Sequence, residues 1–241
     1  MSTAVEQSRC GLADLGRALE RLEIGAGDRS QVSDAEAAFL FRFVRDHALQ
    51  DTLEVGCGLG KSAVAIMLGT GRGHVVIDPF QANYGFRGVG NVERAGLGES
   101  LDFRAEPSRT ALPALLAAGR TFDFVFVDGS HRFDDILLDF TFADLMLRPG
   151  GYVVFDDLWM RTAQLVLSYI RTNRPDYRRD PGAPRTLAIV QKIGEDTRNG
   201  MFHREFYTGR GLVSHHAVTW LAGHDTPAKR VARRLKSALY R

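Results

Sequence analysis

The feature that most constrains the fold is an alternation of short apolar stretches with helical ones, running from Thr52 to Ile193. Thr52–Val55, His74–Ile77, Leu101–Ala105, Phe122–Val127, Tyr152–Phe155 and Thr186–Ile193 read as strands. Between them, Lys61–Leu68, Asn91–Leu97, Ser108–Ala118, Asp134–Leu147 and Trp159–Arg171 read as helices from their apolar spacing. Phe122–Val127 is almost wholly apolar, as a strand must be when both sheet faces are covered. Pro149-Gly150-Gly151 marks a turn. Repeated β-α units predict an α/β fold with a parallel, doubly wound sheet. Ahead of it, Leu12, Leu15, Leu19 and Leu22 keep a helical period, and Ser33 with Glu36 forms a capping box. Residues 1–48 are therefore expected to be an N-terminal helical extension, 49–195 the core and 196–241 a C-terminal extension.

Directly after the first strand comes Leu53-Glu54-Val55-Gly56-Cys57-Gly58-Leu59-Gly60-Lys61-Ser62. A phosphate loop of the Walker type needs glycine where Val55 stands, and a dinucleotide loop needs its third glycine where Lys61 stands. Glycines at this place let the backbone turn tightly and approach a ligand. Glu54 beside the loop disfavours a pyrophosphate, so the expected ligand carries positive charge or donors. Asp78 follows 22 residues after Gly56, at the end of the second strand. An acid there accepts hydrogen bonds from ribose hydroxyls in doubly wound folds. The pair of signals predicts a ribose-bearing cofactor.

The glycine segment resembles the first motif of class I S-adenosylmethionine-dependent methyltransferases. Val76-Ile77-Asp78-Pro79-Phe80, then Phe122 to His131, then Leu147-Arg148-Pro149-Gly150-Gly151 resemble that family's later motifs, in order. The likeness covers about residues 50–193. Val127-Asp128-Gly129-Ser130-His131 followed by Phe155-Asp156-Asp157 resembles the small-molecule branch that includes catechol-type and antibiotic-tailoring O-methyltransferases. The resemblance implies a Rossmann-like, mostly parallel seven-stranded sheet and S-adenosylmethionine as cofactor. It places Gly56, Cys57, Gly58 and Gly60 along the methionine part and Glu54 near its amino group. Asp78, with Pro79 and Phe80 beside it, is placed at the ribose. Glu106 and Ser108 are placed beside the adenine, and Asp128 at the cofactor edge of the fourth strand.

Asp128 ends the fourth strand, and Asp156 and Asp157 end the fifth. Neighbouring strand tips are about 4.8 Å apart, so three carboxylates there repel one another unless a cation compensates. A hard divalent ion such as Mg²⁺ would do so and would bind and acidify a substrate hydroxyl. The catechol-type branch carries an amide at the place of Asp157; the alternative role of Asp157 is to cap the following helix. His131, three residues beyond Asp128, has the right unperturbed acidity for a general base. Its alternative is a histidine bonded to a backbone carbonyl at a helix start.

Of the 31 Lys and Arg residues, six lie in Thr226–Arg241 with no acid among them; the other 25 face 29 Asp and Glu, a net −4 for residues 1–225. Such a body is a poor polyanion binder, so no nucleic-acid partner is expected. No apolar run reaches the ~18–20 residues needed to span a bilayer, and the first residues lack the apolar core of a secretory signal. Two cysteines give no disulfide framework, which leaves the cytoplasm as the expected location. Val231, Leu235 and Leu239 make the basic tail an amphipathic helix, suited to core or subunit packing in a homo-oligomer, or to a membrane surface. Tyr84, Phe86 and the run Gly85–Gly90 are expected to form a flexible aromatic loop after Asp78 that closes over the cofactor, with a plain surface loop as the alternative. Arg161, Arg171, Arg174, Arg178, Arg179 and Arg185 are expected to form a solvated basic face, with an acidic substrate as the alternative. His215 and His216 near Trp220 are weaker candidates for substrate contact.

The expected function is thus metal-assisted O-methylation of a small, natural-product-like hydroxyl compound, of the kind used in secondary metabolism. The rivals are N-methylation, a cofactor-binding module without catalysis, and a nucleotide-dependent oxidoreductase, which the misplaced third glycine opposes.

Overall fold

A computed structural model of the chain describes residues 10–28, 30–208 and 211. The tail from Thr226 to Arg241, and His215, His216 and Trp220, lie outside the described residues.

Seven strands form one sheet: β1 (Thr52–Val55), β2 (His74–Ile77), β3 (Leu101–Arg104), β4 (Phe122–Val127), β5 (Leu147–Phe155), β6 (Tyr177–Asp180) and β7 (Ala188–Lys192). Their order is β3-β2-β1-β4-β5-β7-β6. β1 to β5 pair in parallel, and β7 runs antiparallel to both β5 and β6. The sheet is therefore Rossmann-like, doubly wound and mostly parallel. The strand order reverses between β1 and β4, so the carboxyl ends of these two strands flank the crevice where such sheets take ligands.

The helices cover both faces. Helices α1 (Leu12–Leu19), α2 (Asp34–Asp46) and α3 (Lys61–Thr70) pack on one face, with α4 (Arg87–Arg94) at its edge against α3. Helices α5 (Ser108–Ala117), α6 (Phe133–Met146) and α7 (Arg161–Asn173) pack on the other. The side chains of β4 show why its sequence is mostly apolar: from Phe124 on they alternate, Phe124 and Phe126 entering the α2 side and Val125 and Val127 the α5–α7 side, while Phe122, before the register shift, also enters the α5–α7 side. All five are essentially buried, and burying each of the large side chains contributes about 1.5–3 kcal/mol. Helix α2 begins as its capping box predicts: the Glu36 amide donates to Ser33 Oγ at 3.3 Å, and the Ser33 amide donates to Glu36 at 2.7 Å.

Several elements differ from the sequence reading. The Gly85–Gly90 run is mostly helical, because α4 starts at Arg87 instead of near Asn91. Gly88 permits this: a Cβ there would lie 2.5 Å from the Gly58 carbonyl oxygen, so only glycine lets α4 press against the glycine loop. Pro149-Gly150-Gly151 lies within β5, where the register jumps from Phe122↔Leu147 to Phe124↔Tyr152. The turn signal thus marks a bulge in the strand. Strand β6, Tyr177–Asp180, has only four residues and is polar at its centre, so it carries no strand pattern of its own. It pairs along β7 at the sheet edge.

Candidate functional site

The glycine loop is held from below by one carboxylate. Asp78, at the end of β2, accepts from the amides of Cys57 at 3.1 Å and Gly58 at 3.2 Å through Oδ2, and from the Phe80 amide at 2.7 Å through Oδ1. Gln81 donates from Nε2 to the same Oδ2 and to the Gly58 carbonyl, both at 2.8 Å. Its Oε1 is buried without a hydrogen-bond partner. Pro79 and Phe80 follow on the surface. Gly56 and Gly60 both have positive φ, +95° and +78°, and a Cβ would lie 2.1 Å from Asp128 O at the first and 2.4 Å from Gly88 O at the second. Here the glycines are demanded by the approach of other chain segments as well as by the turn. They bring Asp128 against the start of the loop.

Glu54 is fully buried one residue before the end of β1. It accepts a short hydrogen bond from Ser62 in the first turn of α3 and lies 3.0 Å from His74 Nε2. Thr52 Oγ1 meets the other ring nitrogen of His74 at 2.8 Å. Cys57, also buried, has its thiol pushed well up by burial and by the charges of Glu54 and Asp78, so it is no nucleophile. Glu106 sits in the bend between β3 and α5, and Ser108 is the first residue of α5.

Across the crevice stand the other acids. Backbone bonds from Asp128 N to Val55 O (2.8 Å) and Asp156 N to Val127 O (3.1 Å) place the tips of β1, β4 and β5 side by side. Burial, then the charges of Asp156, Glu54, Asp157 and Glu36, drives the Asp128 carboxyl well above its ordinary range. Burial pushes Asp156 up to about 7, with Glu36 and Asp157 adding to it and the Asp157 amide opposing. Glu36 comes from α2, so the N-terminal helices contribute charge to this crevice.

Asp157 lines the same crevice, but its carboxylate engages two other side chains. Its φ is +54°, and its carboxylate meets His131 Nδ1 at 3.2 Å through Oδ2 and accepts from Trp159 Nε1 at 2.6 Å through Oδ1. The helix Trp159 was expected to start begins at Arg161 instead. Among the described residues no group of three or more His, Cys, Asp or Glu side chains is arranged to hold a metal ion. The crevice is lined by Asp128, His131, Asp156, Asp157, Met160 and Thr162, among others. The Thr162 hydroxyl is buried there without a partner. Sequence reasoning missed Thr162, Gln81, His74 and Glu36. Only Gln81 had a local signal, as a polar residue one turn beyond Asp78; the others reach the site from separate elements.

Residues 53–158 match the family model for a methyltransferase domain. The chain carries a methyltransferase domain. That domain takes in β1 to β5 and every acid of the crevice except Glu36. The chain is 31% identical over 134 residues to a caffeoyl-CoA O-methyltransferase of Petroselinum crispum, covering 52% of this chain and 53% of that one. It thus spans about half the length of the curated relatives it matches. Its fold is similar to that of an O-methyltransferase from Bacillus cereus in complex with SAH (TM-score 0.60, 18% identity, 75% of this chain and 91% of that one). It is also similar to the O-methyltransferase TomG from Streptomyces achromogenes, involved in tomaymycin synthesis, in complex with SAM (TM-score 0.59, 20% identity, 78% and 99%). No helix among the described residues is long and apolar enough to cross a membrane.

Proposed function

We propose that the methyltransferase domain transfers the methyl group of S-adenosylmethionine to a hydroxyl of a small, natural-product-like acceptor. The observation that carries the reading is the His131–Asp157 pair, which opens on the same crevice as Asp128 and Asp156 beside the glycine loop. An ionised Asp157 favours the tautomer with a proton on His131 Nδ1, which leaves Nε2 as the acceptor. In the proposed reaction the acceptor oxygen attacks the sulfonium methyl in line. The C–O bond forms as the S–CH₃ bond breaks, the electron pair stays on sulfur, and the hydroxyl proton passes to His131 Nε2. The protein's part is to hold the two reactants at attack distance and to take that proton. The cofactor-binding residues in this reading are Glu54, Gly56, Cys57, Gly58, Gly60, Asp78, Pro79, Phe80, Glu106, Ser108 and Asp128.

Two buried carboxylates that both favour protonation, Asp128 in part through the charge of Asp156, are a donor set suited to a divalent cation that keeps several waters. Asp128 and Asp156 would hold it, and Asp157, the third expected ligand, is committed to His131 and Trp159. When bound, such an ion supplies Lewis acidity that lowers the hydroxyl pKa.

Incubation with methyl-labelled S-adenosylmethionine and a pool of hydroxylated small molecules tests the reading, with and without EDTA. Label on oxygen, greatly reduced in His131→Ala, is the expected result. Label on nitrogen, or no labelled product from any acceptor, overturns it.

A further inference from the structure

Three of the arginines read from the sequence as a basic face converge on one concavity. Arg171 on α7, Arg179 on β6 and Arg185 before β7 line a cleft of about 600 Å³ together with Trp159, Gln164 and Thr208. That volume is in the range of small-molecule sites. Their neighbours Arg174 and Arg198 are paired with Asp144, Asp176 and Asp196. Among the described residues Arg171, Arg179 and Arg185 have no carboxylate within ion-pair distance. Like charges gathered from three elements around one hollow repel one another, and an anion in the hollow removes that repulsion. Guanidinium groups also match phosphate and carboxylate oxygens two at a time.

The cleft adjoins the methyl-transfer crevice through a single turn. Asp156, Asp157 and Met160 line the crevice, while Leu158 and Trp159, between them in sequence, line the cleft. The turn is fixed from the cleft side: the Leu158 amide donates to Thr186 O at 2.8 Å, and Gln164 Nε2 donates to Leu158 O at 2.9 Å. Trp159 joins the two spaces, since the residue lines the cleft, is 69% exposed, and its Nε1 donates to Asp157. A flat molecule lying over this indole would have one end toward His131 and Asp157 and the other toward the arginines.

We infer that the cleft is the anion-binding arm of the acceptor site, and that the acceptor is a small hydroxylated molecule carrying a phosphate or carboxylate group. This rests on the methyltransferase reading for the word acceptor; the anion site itself does not. A polyanion such as nucleic acid is a poor fit, because the cleft is a single concavity on a body of net negative charge.

The test uses the full chain with Trp220→Phe, which leaves Trp159 as its one tryptophan. Without cofactor and in EDTA, Trp159 fluorescence is followed while pyrophosphate, 3,4-dihydroxybenzoate or uncharged catechol is added at fixed ionic strength. A saturable change with pyrophosphate or with dihydroxybenzoate is expected, and which of the two saturates identifies phosphate or carboxylate as the group. In the Arg171→Gln/Arg179→Gln/Arg185→Gln variant the affinity should fall about tenfold or more, and salt should weaken the parent's binding. Catechol should show neither dependence. Arg185→Gln alone serves as a check if the triple variant melts lower; it should weaken binding in the same direction. Absence of saturation by both anions in the millimolar range, or equal affinity in the variants, overturns the proposal. With S-adenosylmethionine and a methylated anionic acceptor, the triple variant should raise KM and leave kcat nearly unchanged. Anion binding without methyl transfer would sustain the cleft and sink the methyltransferase reading; transfer without anion binding would do the reverse.

Discussion

His131 Nδ1 stands 3.2 Å from Asp157 Oδ2, while Trp159 Nε1 donates to the other oxygen of the same carboxylate at 2.6 Å. One acid therefore orients the candidate base and anchors the wall of the neighbouring cleft. In Asp157→Asn, His131 loses the charge that fixes its tautomer. The expected result is a fall in kcat of about 10²–10⁴, the same order as for His131→Ala, with cofactor affinity unchanged. The double variant should be no slower than either single one. Rates that multiply would show that the two residues act separately.

The acids of the crevice give metal binding a pH dependence. Protons must leave Asp128 and Asp156 before a cation is held; burial raises both carboxyls, Asp156 to about 7, and the charge of Asp156 raises Asp128 further. Calorimetry should find Mg²⁺ bound about tenfold or more tighter at pH 8 than at pH 6. Glu36→Gln removes a negative charge that raises both groups, so it should shift this dependence to lower pH. An affinity that is flat from pH 6 to 8 would remove these acids from the site.

Asp139 on α6 is buried with both carboxylate oxygens lacking a hydrogen-bond partner. Burial raises its pKa to about 6; the nearby Ser108 hydroxyl opposes this without reaching hydrogen-bond geometry, and Asp135 adds to the rise. The folded state thus holds this proton more tightly than the unfolded chain does. The contribution to stability is full below about pH 4 and is lost as pH rises through about 6. Asp139→Asn has no proton to lose. It should be more stable than the parent at pH 8 by up to roughly 3 kcal/mol, with the difference vanishing toward pH 4. Denaturant melts at the two pH values decide this, and a constant difference would contradict it.

The buried chain Thr52–His74–Glu54–Ser62 ties β1, β2 and α3 together under the glycine loop. His74→Leu leaves the Glu54 carboxylate with Ser62 as its one side-chain partner. A loss of about 3 kcal/mol is expected, most of it recovered when Glu54→Met is added, because replacing both buried partners is cheaper than stranding one. A double variant no more stable than the single one would show that the network is not the cause.

Much of the fold was legible from local pattern. The β-α alternation, the capping box at Ser33 and Glu36, and the continuous apolar run of β4 all appear where periodicity and burial place them. Strand β6 did not, because its residues pair along a neighbour and have no alternation of their own. Helix α4 spans Arg87–Arg94 and so begins and ends earlier than the Asn91–Leu97 of the sequence reading; Gly88 lets its first turn press against the glycine loop, a contact that local pattern does not show.

The candidate site divides in the same way. Chain order and motif spacing by themselves determined that Gly56, Gly58, Gly60, Asp78, Asp128 and Asp156 stand at or beside the carboxyl ends of parallel strands, since strand ends are set by local pattern. Only the tertiary structure decided what each carboxylate faces. Asp157 adjoins Asp156 in sequence, yet a positive φ turns it toward His131 and Trp159. Glu36 reaches the crevice's charge from α2, and Arg171, Arg179 and Arg185 meet at one cleft from three elements. Charge and hydrogen bonding act over a few ångströms of space, whereas sequence pattern reports only neighbours along the chain.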